Sequence, residues 1–454
     1  MRMQRDTLTG RFRISRQSAV SPLPWRVFGA LLLAMFAIAV GYGFLLPILP
    51  RVLERIAATT DPATLSRHTG LLTGTYTLSL FLFAPLWGRI ADRRGRRPMI
   101  LLGLTGFAVT LALFAAVNSL PFLYLERALG GMFSSAIAPA AYALVGDYAP
   151  SKEWRARRFA MLNVAAATGF LVGPMLGSLT MRIAHADLPR VGEPLACWPP
   201  FAMTSAFAFL VALSVWALVP VTPERVPDAR SSPDKSTSRP ALTRLLAISF
   251  VTASAVGAFE VGLSLRGTQI LGMSIFEIGL MFSECSLVML VVQSIVFSPV
   301  VKPQLTRWFL TPALVILAAG LSAVPLATGG FATAIAVAVV ASSAGIISPI
   351  TTYWISLGAG ERQGAALGWQ TAAASLGQAV GSAGGGLLFN IRAIPHASFT
   401  LTAVVVLAGL VASVRVPHFL AEAAADRNGK QDNVLQMGSN PAQARRVKAR
   451  RRLD

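Results

Sequence analysis

The sequence predicts an all-α membrane protein, with twelve transmembrane helices arranged as two bundles of six. Three observations predict it. The 454-residue chain is 54% hydrophobic and 13% charged, with mean hydropathy +0.60; soluble domains carry about 25% charged residues. Apolar runs of at least about 18–20 residues, long enough for a helix to cross the hydrocarbon core, recur along the whole chain. The longest polar interval between them, 221–240, contains the run SSPDKSTSRP and splits the spans six and six. That composition builds no core and reads as a flexible linker.

The spans of the first bundle are expected at 27–49, 70–88, 98–117, 120–146, 159–181 and 200–220. Those of the second are expected at 243–264, 275–298, 308–327, 331–356, 363–390 and 397–416. The chain thus divides into a basic N-terminus (1–26), a first bundle (27–220), a linker (221–242), a second bundle (243–416) and a basic tail (417–454). The first apolar run, 28–49, exceeds the 7–15 residues of a signal-peptide core and lacks a small-residue cleavage site, so it is expected to remain as helix one. A central linker between equal halves predicts a cavity at their interface near mid-membrane.

Charge sets the expected orientation. The net charge is +20, and of forty Lys and Arg residues 32 fall in the termini and even-numbered loops, against seven on the other side. The positive-inside rule then places both termini in the cytoplasm. The basic charge is read as topology with contact to anionic lipid, and nucleic acid is not an expected partner. Cys197 and Cys285 offer neither a disulfide frame nor a metal site. No nucleotide-binding motif appears, and the four histidines lie near loops or span ends, so no enzyme chemistry, cofactor or metal is expected.

Several residues stand out inside or between the spans. GRIADRRGRR, residues 88–97, packs five arginines between two apolar runs and must lie at a membrane boundary. Arg127 lies roughly 9 Å into span four, where a guanidinium is a functional candidate or a structural group bonded to carbonyls. Glu126 points about 100° away on the helical wheel and is not expected to be its automatic partner. Gly169, Gly173 and Gly177 repeat every four residues in span five, and Gly377, Gly381 and Gly385 do so in span eleven, a pattern that allows close helix approach. Pro174 follows Gly173 and removes a backbone donor mid-helix, predicting a kink. On span eight Glu277 and Glu284 share a face, and Glu284 falls near mid-membrane, either as a proton carrier or as a neutral, hydrogen-bonded core acid. Glu260 is expected near the outer end of span seven, as a mouth residue. Tyr76, Asn163, Gln293, Tyr353, Gln370 and Gln378 are candidates either for cavity lining or for interhelical hydrogen bonds.

These motifs resemble the major facilitator superfamily of transporters, drug/proton antiporter type, and most closely the tetracycline/proton antiporters. Gly88, Asp92, Gly95, Arg96 and Arg97 match the loop motif between helices two and three. Arg127, Gly131 and Asp147 match the helix-four motif, and Gly169, Gly173, Pro174 and Gly177 the glycine–proline motif of exporters. The span-one ending Pro47-Ile-Leu-Pro50, the run from His68 to Pro98, and Glu361-Arg-Gln-Gly364 resemble the tetracycline group. The resemblance touches nearly the whole chain and is stronger in the first half. It implies the major facilitator fold and proton-coupled efflux of a small organic solute by alternating access, from a monomer in a bacterial inner membrane. Gating is then expected at Asp92, Arg96 and Asp147, with Asp92 meeting the start of span eleven and Arg96 relaying between the two acids. Span five is expected to fit against the other half and seal one side of the cavity. Ile38 stands where the tetracycline group carries an aspartate, so proton coupling is left to Arg127, Glu126, Glu260 and Glu284. The alternatives are an importer or facilitator, which the span-five motif opposes, and a non-transporting sensor or assembly protein, which has no need of a breakable latch.

Overall fold

Helices make up nearly all of the described chain, and local sequence explains where they break. The computed structural model describes residues 22–114, 116–187, 198–220, 239–296, 303–358, 363–391 and 396–414, with short pieces at 3–4, 13–14, 393–394 and 416–417. Most of the expected linker, nearly all of the basic tail, and Cys197 lie outside the described residues. Span one is two helices, Trp25–Gly43 and Leu45–Ala57, meeting at Phe44 and ending at Ala58 in the left-handed region. Span two runs Pro62–Arg94 and so begins earlier than the expected residue 70. Asp61 caps it by accepting the Thr64 amide at 2.8 Å, and Pro62 follows in the first turn, where its missing N–H costs nothing. The Thr64 hydroxyl also donates to this carboxyl and, with the amide, holds it below the usual carboxylate range.

One residue, Gly95, joins span two to span three (Arg96–Phe114). Its φ of 92° and ψ of 158° lie in a region essentially reserved for glycine, and its N–H closes span two on the Ala91 carbonyl at 3.0 Å. Span four is offset at Ser135 and Ala136 between Leu120–Ser134 and Ile137–Asp147. Span five is Lys152–Asp187, with Pro174 inside it, and span six is Trp198–Leu218. The second bundle comprises Arg239–Gln269, Ile275–Val296, Leu310–Ala323 between two 3-10 turns, Gly330–Gly358, Gln363–Phe389 and Ala397–Ser413. Ten described helical stretches are long and apolar enough to cross a membrane. Gln363–Phe389, rich in Gly, Ala and Ser, and the 17-residue Ala397–Ser413 complete the twelve. The β structure among the described residues is a two-residue antiparallel pairing, Met3–Gln4 with Arg13–Ile14, which the all-helical expectation did not include.

Side chains such as Val411 and Phe331 (77% and 83% exposed) lie on the outside, as a bilayer solvent permits. Inside, the apolar cluster of the second bundle reaches into the first at Tyr42, Leu46 and Tyr76. Gly377, Gly381 and Gly385 of span eleven lie directly on Phe250, Ser254 and Ala258 of span seven, so this ridge binds helices within one bundle. The molecule has two ends that differ in kind: a basic end carrying residues 88–97 and 147, and a far end carrying residues 46–66, 264–279 and 390.

Candidate functional site

The two bundles meet through a seal that runs from the far end inward. At its mouth Asn390, just after span eleven, donates to the Pro62 carbonyl at 2.7 Å, to Ser66 Oγ at 3.1 Å and to Gln269 Oε1 at 3.0 Å. Gln269 adds a bond to the same Pro62 carbonyl at 3.3 Å. Below this, spans two and eleven touch backbone to backbone: a Cβ on Gly70 would sit 2.6 Å from the Cα of Gly386. Three serines then reach across the interface: Ser264 donates to the Leu46 carbonyl (2.9 Å) and Ser283 to the Leu171 carbonyl (2.8 Å), while Ser178, which donates to Pro174 of its own helix at 2.6 Å, shares that proton with the Ile275 carbonyl at 3.1 Å. Short hydroxyl side chains let the helices stay close while still bonding across the interface.

At the base of the seal lies a ring of three side chains. Tyr42 of span one donates its hydroxyl to Glu260 Oε2 of span seven at 3.2 Å. The Gln378 amide of span eleven donates to that same oxygen and to the Tyr42 hydroxyl, both at 3.1 Å. The sequence placed Glu260 at the mouth; the structure corrects this. The helix runs on to Gln269, so Glu260 lies about 14 Å inward at 1.5 Å per residue. Tyr42 packs on Tyr76 and Phe170, with ring centroids 5.2 and 5.4 Å apart. Cys285, on span eight, lies within electrostatic reach of both Glu260 and Glu284, and it is a free thiol.

Tyr76 connects the ring to a buried charge pair. Its hydroxyl donates to Ser134 at 3.0 Å, and the Arg127 guanidinium lies 5.5 Å from its ring centre and 4.9 Å from that of Phe114. Arg127 meets Glu126 in a two-bond fork at 2.6 and 2.7 Å, with side chains only 3% and 5% exposed. Glu126, which the helical wheel did not make an automatic partner, is therefore the partner of Arg127. A 100° separation at Cα is bridged because both side chains are long and folding back is less costly than leaving a guanidinium unpaired in an apolar bundle. A small cavity between the pair and the ring is lined by Tyr42, Leu46, Leu49, Thr73, Tyr76 and Arg127, among others.

The basic end is built differently. Arg96 pairs with Asp92 one turn back and reaches Asp147 Oδ2 with Nε at 3.4 Å, so it lies between two carboxylates. Asp92 is 56% exposed, and all three residues belong to the first bundle. Arg97 donates to the Trp216 carbonyl of span six, and Gly88 has open space where a side chain would be. The expected meeting of Asp92 with the start of span eleven, like the Glu361-Arg-Gln-Gly364 run, involves residues or side chains outside those described.

The remaining candidates separate into linkers and half-buried groups. Gln370 donates to Thr352 at 2.6 Å, joining spans ten and eleven, and Asn163 accepts from Tyr142 at 2.6 Å, joining spans four and five. Tyr353 packs edge-on against Trp354, while Gln293 and Glu284 are half-buried on span eight. Glu277 caps its own helix, accepting the Ser274 amide at 2.7 Å. The exporter motif also needs a correction. A Cβ on Gly169, Gly173 or Gly177 would collide with Phe36, Val40 or Phe44, all of span one and hence of the same bundle. The adjoining face of span five, at Pro174 and Ser178, is what meets Gly279 of span eight in the other bundle. Sequence reasoning missed Tyr42, Asn390 and the three serines. A tyrosine inside the first apolar run was the one available signal, since a polar group there needs a partner.

The comparisons agree with this architecture. The chain is 28% identical over 396 residues to Multidrug resistance protein 2 of Bacillus subtilis, covering 85% of this chain and 93% of that protein. It is 25% identical over 373 residues to the Quinolone resistance protein NorA of Staphylococcus aureus, covering 79% and 88%. Among solved structures it is similar to the human organic anion transporter MFSD10 (TM-score 0.65, 22% identity, 86% of this chain and 99% of that one). It is also similar to a bacterial homolog of the human lysosomal transporter Spinster in an inward-facing, occupied conformation (TM-score 0.66, 16% identity, 88% and 96%). Residues 31–362 match the family described as Major Facilitator Superfamily. The chain, a multi-pass membrane protein built as a secondary transporter and not as an enzyme, belongs to that superfamily.

Proposed function

We propose that this protein exports small organic solutes, drugs among them, across a bacterial inner membrane in exchange for protons, acting as a monomer. The multidrug and quinolone resistance proteins to which it is similar support export. The distribution of Lys and Arg supports a cytoplasmic basic end. In that orientation the sealed far end faces outward, and the state described above is the one that loads from the cytoplasm. The observation that carries proton exchange is Glu260: a carboxyl at the base of the interbundle seal, held by neutral donors instead of a cation. Both carboxylate oxygens of Glu126 are already taken up by its fork with Arg127. Glu284, half-buried on the neighbouring span, is the second carboxyl of the pathway. In the return step Asp92 leaves Arg96 for the cytoplasmic start of span eleven and latches the opposite end.

The test uses purified protein in liposomes with the cytoplasmic end outward, an acid interior and ethidium outside. Uptake of the dye that stops when an uncoupler collapses the gradient, and that Glu260→Gln abolishes, is the expected result. Uptake that is indifferent to the gradient rejects proton coupling, and the absence of uptake for a panel of lipophilic dyes and quinolones rejects drug export.

A further inference from the structure

Among the described residues three arginines are buried, and two of them find oxygen. Arg127 has its fork with Glu126, and Arg266 donates Nη2 to the Ala327 carbonyl at 2.6 Å. The third is Arg158, 7% exposed in the second turn of span five at the basic end. Its Nη1 is buried without a hydrogen-bond partner, and no carboxylate among the described side chains pairs with it. What surrounds it is aromatic. The guanidinium carbon lies 3.6 Å from the ring centre of Trp25, 4.2 Å from that of Phe28 and 5.0 Å from that of Trp154. Rings attract a cation through their faces but offer no oxygen to its N–H groups. A guanidinium binds carboxylate or phosphate through a planar, two-bond fork, and no described residue uses that capacity of Arg158.

The cage stands beside an open apolar strip. Trp25, in the first turn of span one, is 64% exposed. Gly29, Leu33 and Phe36 follow it along one side of that helix, since steps of three and four residues stay on one face. A Cβ on Gly29 would meet nothing within 4 Å, and Leu33 is exposed. Phe36 ends the strip between two helices, its ring centre 5.9 Å from that of Phe207 on span six and its carbonyl against Gly169 of span five. The strip therefore opens between spans five and six, turned away from the face of span one that brings Tyr42 to the other bundle. Exposed Arg26 and Arg157 add positive charge at its entrance. A phosphate carrying an acyl chain matches the unpaired guanidinium, the interfacial tryptophan and the apolar strip together. A free anion leaves the strip unexplained.

We infer that Arg158, with Trp25 and the strip at Gly29 and Leu33, binds the headgroup phosphate of an acidic phospholipid in the leaflet at the basic end, one acyl chain lying along span one. Nη1 is the donor that the phosphate takes, and the exposed Trp25 ring is the side of the cage that yields to it. The bound lipid ties the starts of spans one and five together. The site lies on the outer wall of the first bundle and does not depend on the proton-coupled reading above.

Native mass spectrometry of delipidated, full-length protein, titrated with phosphatidylglycerol and separately with phosphatidylcholine, reads the tightest lipid-binding step. Phosphatidylglycerol is expected to bind about tenfold more tightly than phosphatidylcholine, whose choline cancels the net charge. Arg158→Gln is expected to weaken phosphatidylglycerol binding roughly tenfold. Gly29→Leu fills the strip while leaving the guanidinium and its rings in place, and it is expected to weaken binding roughly fivefold. If Arg158→Gln fails to fold, Gly29→Leu decides the question. Arg93→Gln, on the exposed last turn of span two, is expected to change binding by less than about twofold. Equal weakening by Arg93→Gln makes the attraction diffuse and overturns the site, as does unchanged binding in a folded Arg158→Gln. Unchanged binding in Gly29→Leu overturns the lipid. If inorganic phosphate at about 10 mM, without lipid, then raises the melting temperature of the parent but not of Arg158→Gln, a soluble anion holds the guanidinium instead.

Discussion

The two ends of the molecule hold themselves together by different physics. At the basic end Arg96 sits between Asp147 and the half-exposed Asp92, all three residues of the first bundle. At the far end neutral amides and serines, with glycine against glycine, join one bundle to the other. Charged pairs near water are adjustable, contribute about 0–1 kcal/mol each and are screened by salt. A dry seal of short hydroxyls and bare backbone depends on shape and gives way all at once. An alternating-access protein needs both: one end whose partners can be exchanged, and one whose closure excludes water. The charge that could link the two lies between them, at Glu260.

The comparison breaks most visibly if the far seal tolerates added bulk. Gly386→Leu places a branched side chain against the Gly70 backbone, and it is expected to lower dye export by about 100-fold or more at normal protein abundance. Next comes the buried pair that neither end shares. Arg127→Ala strands Glu126 in the bundle and is expected to destabilise the protein by about 3–5 kcal/mol, read as thermal unfolding in detergent. Replacing both residues with apolar side chains of similar size recovers most of that stability. Asn390→Ala removes the amide at the mouth of the seal and is expected to cost about 1–2 kcal/mol of far-end closure, read as faster hydrogen exchange at residues 62–66. The smallest effect sharpens the contrast directly. Raising salt from about 0.05 to about 0.5 M shortens the Debye length to a few ångströms and should alter switching by a few-fold at most. Asp92→Asn should abolish that sensitivity, whereas Asn390→Ala should retain it.

How far the sequence could be read differs between the spans and the site. Hydropathy and length located twelve spans because a bilayer demands long apolar helices whatever their packing. The start of span two was read too late, at 70 instead of Pro62, because its first turns carry Thr, Ser, Arg and His, and only the Asp61-Pro62 capping signal marked the start. Gly95 stood out only through its match to the loop motif, and its role as a one-residue turn at φ 92° emerges from the structure. Arg127 and Glu260 stood out as charges in apolar runs, but their partners did not. Glu126 is reached by side-chain folding that a helical wheel omits, and Tyr42 and Gln378 are 218 and 118 residues from Glu260 in the chain. Span five does meet the other bundle as expected, through Leu171, Pro174 and Ser178, but its glycines lie on span one, since periodicity reveals a smooth face without saying what covers it.

The most direct test fixes the far seal shut. Ser66→Cys and Asn390→Cys, in protein lacking the native cysteines, replace groups 3.1 Å apart on opposite bundles and can be bridged by a short bis-thiosulfonate, each thiolate displacing a sulfinate to form a reducible disulfide. The account predicts that the bridged protein binds dye from the basic end but does not release it on the other side, and that reduction restores export. Export that continues unchanged through the bridged seal would contradict it.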